Sequence, residues 1–560
     1  MVPRLVMLGA LLATSVVCSH AESPAADPPS LALSADDDRN VREQVVEFAV
    51  AGSATGVKVC TGAASGPCWL AELPLGSGRP GAAVEPILLP AAPGETIVLP
   101  RFEDAGGIVR DRLFSRWSVT SRPQQPVRPD VSPRYAEVEH PARSAAHPLL
   151  RSKKGLGGFD VRRGFVSDLD ELGIATVTVN VPLDFLRQRT ATADGSPAHE
   201  YGGAAYDVDA GAIAALDATL RAAAEREILV FAILLVPPPR DSSPISRLMA
   251  HPDYEPPAHF AMPRVDDPRG IATYAAAIDY LAGRYAGEDD RHGRIHHWIV
   301  HNEVDAGREW TNAGRKSLVE YVDLYHRSLR IVHQLVRLRD PQARAFVSLT
   351  HSWRQAERPE YYSGREVLAE LVARSRAEGD FDWGIAYHPY PQSLLVPETW
   401  NDDRAPRSAD APFVTFKNIE VLAEWVRRPE HRFRGATCRD VFLTEQGFHS
   451  RDYSPEQLAL QAAGLAYAWH AIRDLPEIKG MHYHNWIDNR AEFGLRIGLR
   501  RFPDDPDDPG GPKRIWELYR KLGGPEEAAA CEFALPLVGV DAWDEAFPGP
   551  ADEGRGLNRR

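Results

Sequence analysis

The sequence predicts an α/β chain: a (β/α)8 barrel with an N-terminal β-sandwich-like domain. Three observations carry this. From about residue 150 onward, short apolar runs alternate with amphipathic helical stretches, the pattern of a parallel sheet covered by helices. Eight such repeats suit a closed barrel with insertions. Ahead of them, β-prone runs are short and punctuated by Gly and Pro. A doubly wound open sheet is the competing arrangement. It wants a glycine-rich phosphate turn after an early strand, and Lys153-Lys154-Gly155-Leu156-Gly157-Gly158 follows no clear strand.

In chain order, residues 1–21 read as an export signal. Arg4 supplies a positive charge, 5–17 is apolar, and Ser19 and Ala21 are small residues at the cleavage positions. Cys18 raises a lipoprotein alternative, but Ser15, Val16 and Val17 make a poor lipobox. The expected location is therefore secreted or periplasmic. The apolar run is too short to span a bilayer, and no later segment is a transmembrane candidate. Residues 22–41, rich in Ala, Pro, Ser and Asp, read as a disordered linker.

The β-rich domain is expected over 42–122, with strands near 45–50, 56–60, 83–89, 96–99 and 114–120. Residues 123–149 form a proline-rich connector, and the short connector favours a packing role for the β-domain. The barrel is expected over 150–547, with strands near 155–159, 175–181, 228–236, 295–301, 345–349, 383–388, 441–444 and 480–484. Helices are expected near 165–172, 212–227, 271–285, 318–338, 365–378, 418–425 and 455–474. Insertions near 237–268 and 391–416, carrying Tyr254, His259 and Trp400, are placed to wall a cleft, and their composition fits ordinary surface loops equally well. The acidic run 504–511 reads as a solvated loop, and 548–560 as a disordered tail.

Five cysteines suit an oxidising destination. Cys60 and Cys68 bracket a turn and form a natural local pair. Cys438 and Cys531 are either a second bridge or two buried thiols. The net charge of −14 argues against a nucleic-acid partner or an anionic membrane surface, both of which call for a basic face.

A (β/α)8 barrel builds its active site at the C-terminal ends of its strands. Reading those ends gives Asn180 after the second strand, Asn302 and Glu303 after the fourth, and His351 and Trp353 after the fifth. His388 and Tyr390 follow the sixth, Glu445 the seventh, and His484, Asn485 and Trp486 the eighth. Aromatic faces stack on sugar rings, and amides and imidazoles bind hydroxyls. Two carboxylates are what a retaining glycosidase needs, one as acid/base and one as nucleophile. Singly, each residue has a plainer reading. A strand-end glutamate is often a cap or ion-pair partner, Trp486 suits a core, and His296-His297 suits packing inside a strand. His301, His351, His388 and His484 are numerous enough for a zinc site, but no HExxH-type motif accompanies them. No metal or other cofactor is expected.

Asn302-Glu303 after the fourth strand, Glu445 after the seventh and Trp486 after the eighth resemble clan A glycoside hydrolases. The resemblance implies Glu303 as acid/base and Glu445 as nucleophile. It implies Asn302 on the sugar 2-hydroxyl, and His388 or Tyr390 orienting the nucleophile. One departure is that no arginine is evident at the end of an early strand, where several clan families place one beside the nucleophile. The runs His301-Asn302-Glu303-Val304-Asp305-Ala306-Gly307, Leu443-Thr444-Glu445-Gln446-Gly447-Phe448 and His484-Asn485-Trp486-Ile487-Asp488 also resemble a bacterial glycosidase-like family of unknown function with an N-terminal β-domain. The expected function is retaining hydrolysis of O-glycosidic bonds in an oligo- or polysaccharide, with Asn180, Asn302, His351, Trp353, His388, Tyr390, His484 and Trp486 on the substrate. The rivals are a non-catalytic carbohydrate-binding barrel and a metal-dependent hydrolase.

Overall fold

The computed structural model describes residues 49–60, 68–76, 86–92, 94–104, 107, 109–121, 132–141, 145–189 and 198–547. The leader-like segment, the linker after it and the tail expected from 548 lie outside these residues.

Eight parallel strands close into a barrel: β1 (Lys154–Leu156), β2 (Thr176–Pro182), β3 (Leu229–Leu235), β4 (His297–Val300), β5 (Arg344–Leu349), β6 (Trp383–Tyr387), β7 (Val441–Gln446) and β8 (Ile478–Tyr483). The seam is β1 against β8, with Gly155 opposite His482. All seven residues of β3 are buried, as expected where side chains on one face fill the barrel and those on the other meet helices. Inside, Phe231, Phe346 and Phe442 pack with Leu229, Ile233, Leu235 and Ile299. Gly384 makes room for them: a Cβ there would lie 2.2 Å from the Phe346 ring.

The covering helices are α1 (Asp168–Glu171), α2 (Ala210–Ala224), α3 (Pro268–Tyr285), α4 (Leu318–Arg337), α5 (Gly364–Ala377), α6 (Glu420–Arg427), α7 (Pro455–Arg473) and α8 (Arg514–Lys521). Their starts follow local chemistry. Asp267 caps α3 ahead of Pro268, and Ser317 with Glu320 makes a capping box on α4. His296 and His297 meet the ring of His147 at centroid distances of 4.9 and 5.3 Å, the packing role expected of that pair.

Among the described residues the N-terminal domain holds two four-stranded sheets and a two-stranded ribbon of Phe102–Asp104 with Val109–Asp111. One orders Glu137–Val138, Ala49–Gly52, Gly56–Cys60 and Thr96–Pro100, and the other Ile87–Ala91, Cys68–Leu73, Arg116–Thr120 and Arg134–Tyr135. Strand Cys68–Leu73 escapes the sequence reading, as do the two short strands from within the expected connector. Each of those two completes a sheet, so the domain extends to Val138. It docks on the barrel through an Arg116–Glu378 ion pair and a hydrogen bond of 2.8 Å from Gln334 Nε2 to the Ala136 carbonyl. Arg101 and Asp111 pair at 2.7 Å, and Tyr201 from the barrel side donates to Asp111 at 2.6 Å. Tyr201 belongs to a three-stranded sheet (Leu186–Gln188, Ala198–Tyr201, Ala204–Val208) inserted after β2 and unexpected from the sequence.

Of the two alternatives left open, Cys438 and Cys531 are the unbridged thiols, Cys531 buried and Cys438 half-buried, while the Cys60 side chain lies outside the described residues. In the acidic run, Asp505 accepts amides of Asp507 and Asp508, and Asp504 pairs with Arg490. No helix among the described residues is long and apolar enough to cross a membrane.

Candidate active site

Two glutamates and one histidine meet at the C-terminal mouth. Glu303 follows β4 in a left-handed turn with φ 36°, and its amide donates to Ser348 Oγ on β5 at 3.0 Å. Glu445 lies inside β7, and His388 follows β6. Glu303, His388 and Glu445 each place a side-chain oxygen or nitrogen within 4.8 Å of the other two. His388 Nδ1 is 2.9 Å from Glu303 Oε1 and 3.8 Å from Glu445 Oε2. Its Nε2 contacts Thr444 Oγ1 at 3.1 Å and Ser348 Oγ at 3.4 Å. Both ring nitrogens thus have polar neighbours, and each of the three side chains could also offer one ligand atom to a metal ion. The same arrangement, an imidazole between two carboxylates, can pass a proton.

Tyr390 donates to Glu445 Oε1 at 2.9 Å. On the other side stands His484, whose Nε2 is 3.9 Å from the same oxygen. Gly447 lets β8 approach there, since a Cβ would fall 2.0 Å from the His484 carbonyl oxygen.

The charges are tuned by burial and by each other. Burial raises the pKa of Glu303. Hydrogen bonding and charge from His388 oppose this, while the charges of Glu445 and Glu357 add to it. Burial works against a charged His388, but Glu445 and Glu303 outweigh it and raise its pKa. Tyr390 is pushed well above the usual phenol range by burial and then by Glu445 and Glu303.

Of the residues expected on the substrate, His388, Tyr390 and His484 gather on the two glutamates. Asn302 is 8% exposed beside Glu303, and its Oδ1 accepts no hydrogen bond from the described residues. His351 is buried against Phe413, with Nε2 3.8 Å from Glu357. Asn180 is exposed at the end of β2, beside a hollow of about 320 Å³ that also touches Arg163. The two tryptophans are corrections. Trp353 is fully buried, edge-on to Trp425, and donates to the Ala409 carbonyl at 3.0 Å. Trp486 is fully buried and donates to Asp168 at 2.8 Å, where Arg500 also pairs at 2.6 Å. Both serve the core, because an indole N–H out of water needs an acceptor and finds one inside the protein. His301 is also removed from any histidine cluster, with Nε2 on Ser328 of α4 at 2.8 Å. Trp400 packs toward Tyr467 on α7, and His259 stacks on Trp310 at 4.4 Å.

The sequence reading misses Arg163 and Glu492. Arg163, in the turn after β1, donates to Asn485 Oδ1 at 2.9 Å. It is an early-strand arginine, but it meets an asparagine after β8 rather than Glu445. Glu492 accepts from Asn485 Nδ2 at 2.9 Å and lies 3.3 Å from His484. The polar run after the eighth strand was the available signal. A larger hollow of about 410 Å³, lined by Phe102, Phe114, Tyr201 and Ile271, lies beside the β-domain and holds none of the expected site residues.

No functionally curated protein matches the chain in sequence. Among solved structures, it is similar to a family 39 glycoside hydrolase from the gut symbiont Bacteroides cellulosilyticus WH2, at 12% identity and TM-score 0.44, over 86% of this chain and 83% of that one. It is similar to the exo-β-1,4-mannosidase Op5Man5 from Opitutaceae bacterium strain TAV5, at 16% identity and TM-score 0.41, over 68% of this chain and 60% of that one. It is also similar to a glucosidase from Croceicoccus marinus, at 13% identity and TM-score 0.42, over 68% of this chain and 69% of that one. Residues 146–546, which include every barrel strand and both glutamates, match the family described as "Family of unknown function (DUF5722)". The chain belongs to the DUF5722 family.

Proposed function

We propose that this chain is a retaining glycoside hydrolase that cleaves β-linked O-glycosidic bonds of an oligo- or polysaccharide. The observation that carries the reading is the approach of the Glu303 and Glu445 oxygens to within 4.8 Å around His388. Carboxyl groups about 5–5.5 Å apart suit double displacement, whereas inversion needs about 6.5–9.5 Å to admit a water. Glu445 attacks the anomeric carbon as carboxylate. Glu303, its pKa raised by burial, gives its proton to the leaving oxygen. As carboxylate it then takes a proton from the water that releases the sugar. Tyr390 steadies Glu445, and the unpartnered Asn302 Oδ1 is an acceptor for a sugar hydroxyl.

The test is hydrolysis of a panel of β-linked oligo- and polysaccharides by wild type and Glu445→Ala, with products separated by chromatography and the anomer read by NMR. Turnover with retained configuration, lost in the variant and indifferent to chelator, supports the proposal. Binding without turnover assigns the chain to the non-catalytic sugar binders, and loss of turnover with chelator points to a metal-dependent hydrolase.

A further inference from the structure

Glu492 is a third carboxylate at the barrel mouth, and the mechanism above does not use it. It lies on the loop after β8. His484 Nε2 stands between two carboxylates, 3.3 Å from Glu492 Oε2 and 3.9 Å from Glu445 Oε1. Arg163 after β1, held by Asn485 Oδ1, acts on this ring in the opposite sense. Glu492 is itself fixed from several sides. Asn485 Nδ2 donates to both of its oxygens at 2.9 Å, and Asn489 Nδ2 donates to Oε1 at 3.0 Å. Glu445 Oε1 already receives the Tyr390 hydroxyl.

The geometry points to Glu492 as a positioning residue that acts through His484: it takes the Nε2 hydrogen bond, so that the ring lies beside Glu445 as a neighbouring cation, 3.9 Å from Oε1, rather than bonded to it. This deepens the proposed function and rests on Glu445 as nucleophile. A histidine bonded directly to the nucleophile would blunt its attack. A buried histidine with no carboxylate would lose its charge. Two carboxylates at unequal distance avoid both outcomes. When Glu445 becomes an ester in the glycosyl-enzyme its charge disappears, and Glu492 remains as counter-charge to His484. The electrostatics agree. Burial opposes protonation of His484, yet Glu445 and Glu492 raise its pKa. Burial likewise opposes ionisation of Glu492, yet His484 and the two asparagines bring it down to about 2.

The test compares Glu492→Gln, Glu445→Gln and wild type by histidine ring NMR over a pH series, with His484→Asn identifying the signal and thermal melts confirming folding. In wild type His484 titrates above the ordinary value of about 6.5. It falls by about a unit or more in Glu492→Gln, and falls also in Glu445→Gln. On an active substrate, Glu492→Gln moves the acid limb of kcat/KM to higher pH by about half a unit, because the nucleophile loses a neighbouring cation. It lowers kcat more than it changes KM. A His484 titration unmoved by Glu492→Gln overturns the inference whether or not any sugar is hydrolysed. So does one unmoved by Glu445→Gln, or an unmoved acid limb where turnover exists. Failure of the glycosidase reading looks different: no wild-type turnover on any sugar, with His484 still responding to both carboxylates.

Discussion

His388 touches both glutamates, and its loss separates their effects. His388→Ala removes from Glu303 a hydrogen bond and a neighbouring cation, both of which hold its pKa down. Glu303 therefore stays protonated to higher pH. The basic limb of kcat/KM is expected to move up by about a unit, while kcat drops by about two orders of magnitude as Glu445 loses a neighbouring charge. Azide checks the roles themselves. It is expected to restore turnover in Glu303→Ala and Glu445→Ala with opposite anomers of the glycosyl azide, read by NMR. At this scale the sequence was most legible where chemistry needs a charged residue at a strand end, as at Glu303, Glu445 and His388. It was least legible for tryptophan. A large aromatic at a strand end reads the same whether it faces a cleft or turns inward, and Trp353 and Trp486 turn inward because Ala409 and Asp168 supply their acceptors.

Among elements, the short α1 bears more than its length suggests. Asp168 on α1 binds Trp486 after β8 and a bidentate Arg500, tying the first and last repeats together behind the site. Asp168→Ala leaves a largely buried guanidinium without its counter-charge and the Trp486 N–H without its acceptor, and urea melts are expected to show a loss of about 3 kcal/mol. A milder change, Arg500→Lys, keeps the charge but loses the fork and should cost less. The strands were legible to within a few residues because an apolar run between helical stretches has one reading in an α/β chain. The sheet inserted after β2 was not, since its strands are short, mixed in polarity and interrupted. The strands Arg134–Tyr135 and Glu137–Val138 hid inside a proline-rich connector for the same reason: two residues carry no period.

The whole molecule holds several histidines neutral in its interior. Burial drives His296, His297, His326 and His333 well below their usual range, and His301 and His482 to about 3. Folded values below the unfolded one of about 6.5 mean that their contribution is complete above that pH and lost as pH falls through it, because the unfolded chain binds the extra protons. Raised carboxyls, with Asp305 at about 7 and Asp402 at about 6, act in the opposite sense and offset part of this. Neither ring nitrogen of His482 has a hydrogen-bond partner among the described residues, and Phe231 and Phe442 flank it. In His482→Phe the slope of stability against pH between 6 and 5 should flatten by about 1.4 kcal/mol per unit, measured by denaturant melts. Barrel closure was legible from the count of repeats. The docking of the β-domain was not, because it depends on partners far apart in the chain, such as Arg116 with Glu378.

Cys531 ends the short helix Glu527–Cys531 that follows α8, and it offers a way to time motion in this C-terminal cap. It is fully buried near the end of the barrel wrap, unbridged, and burial pushes its thiol up to about 12. A thiol reagent meets it only when that segment opens. With the more accessible Cys438 replaced by Ser, the rate of Cys531 labelling becomes a clock for local unfolding of the cap. A substrate that tightens the barrel should slow that clock.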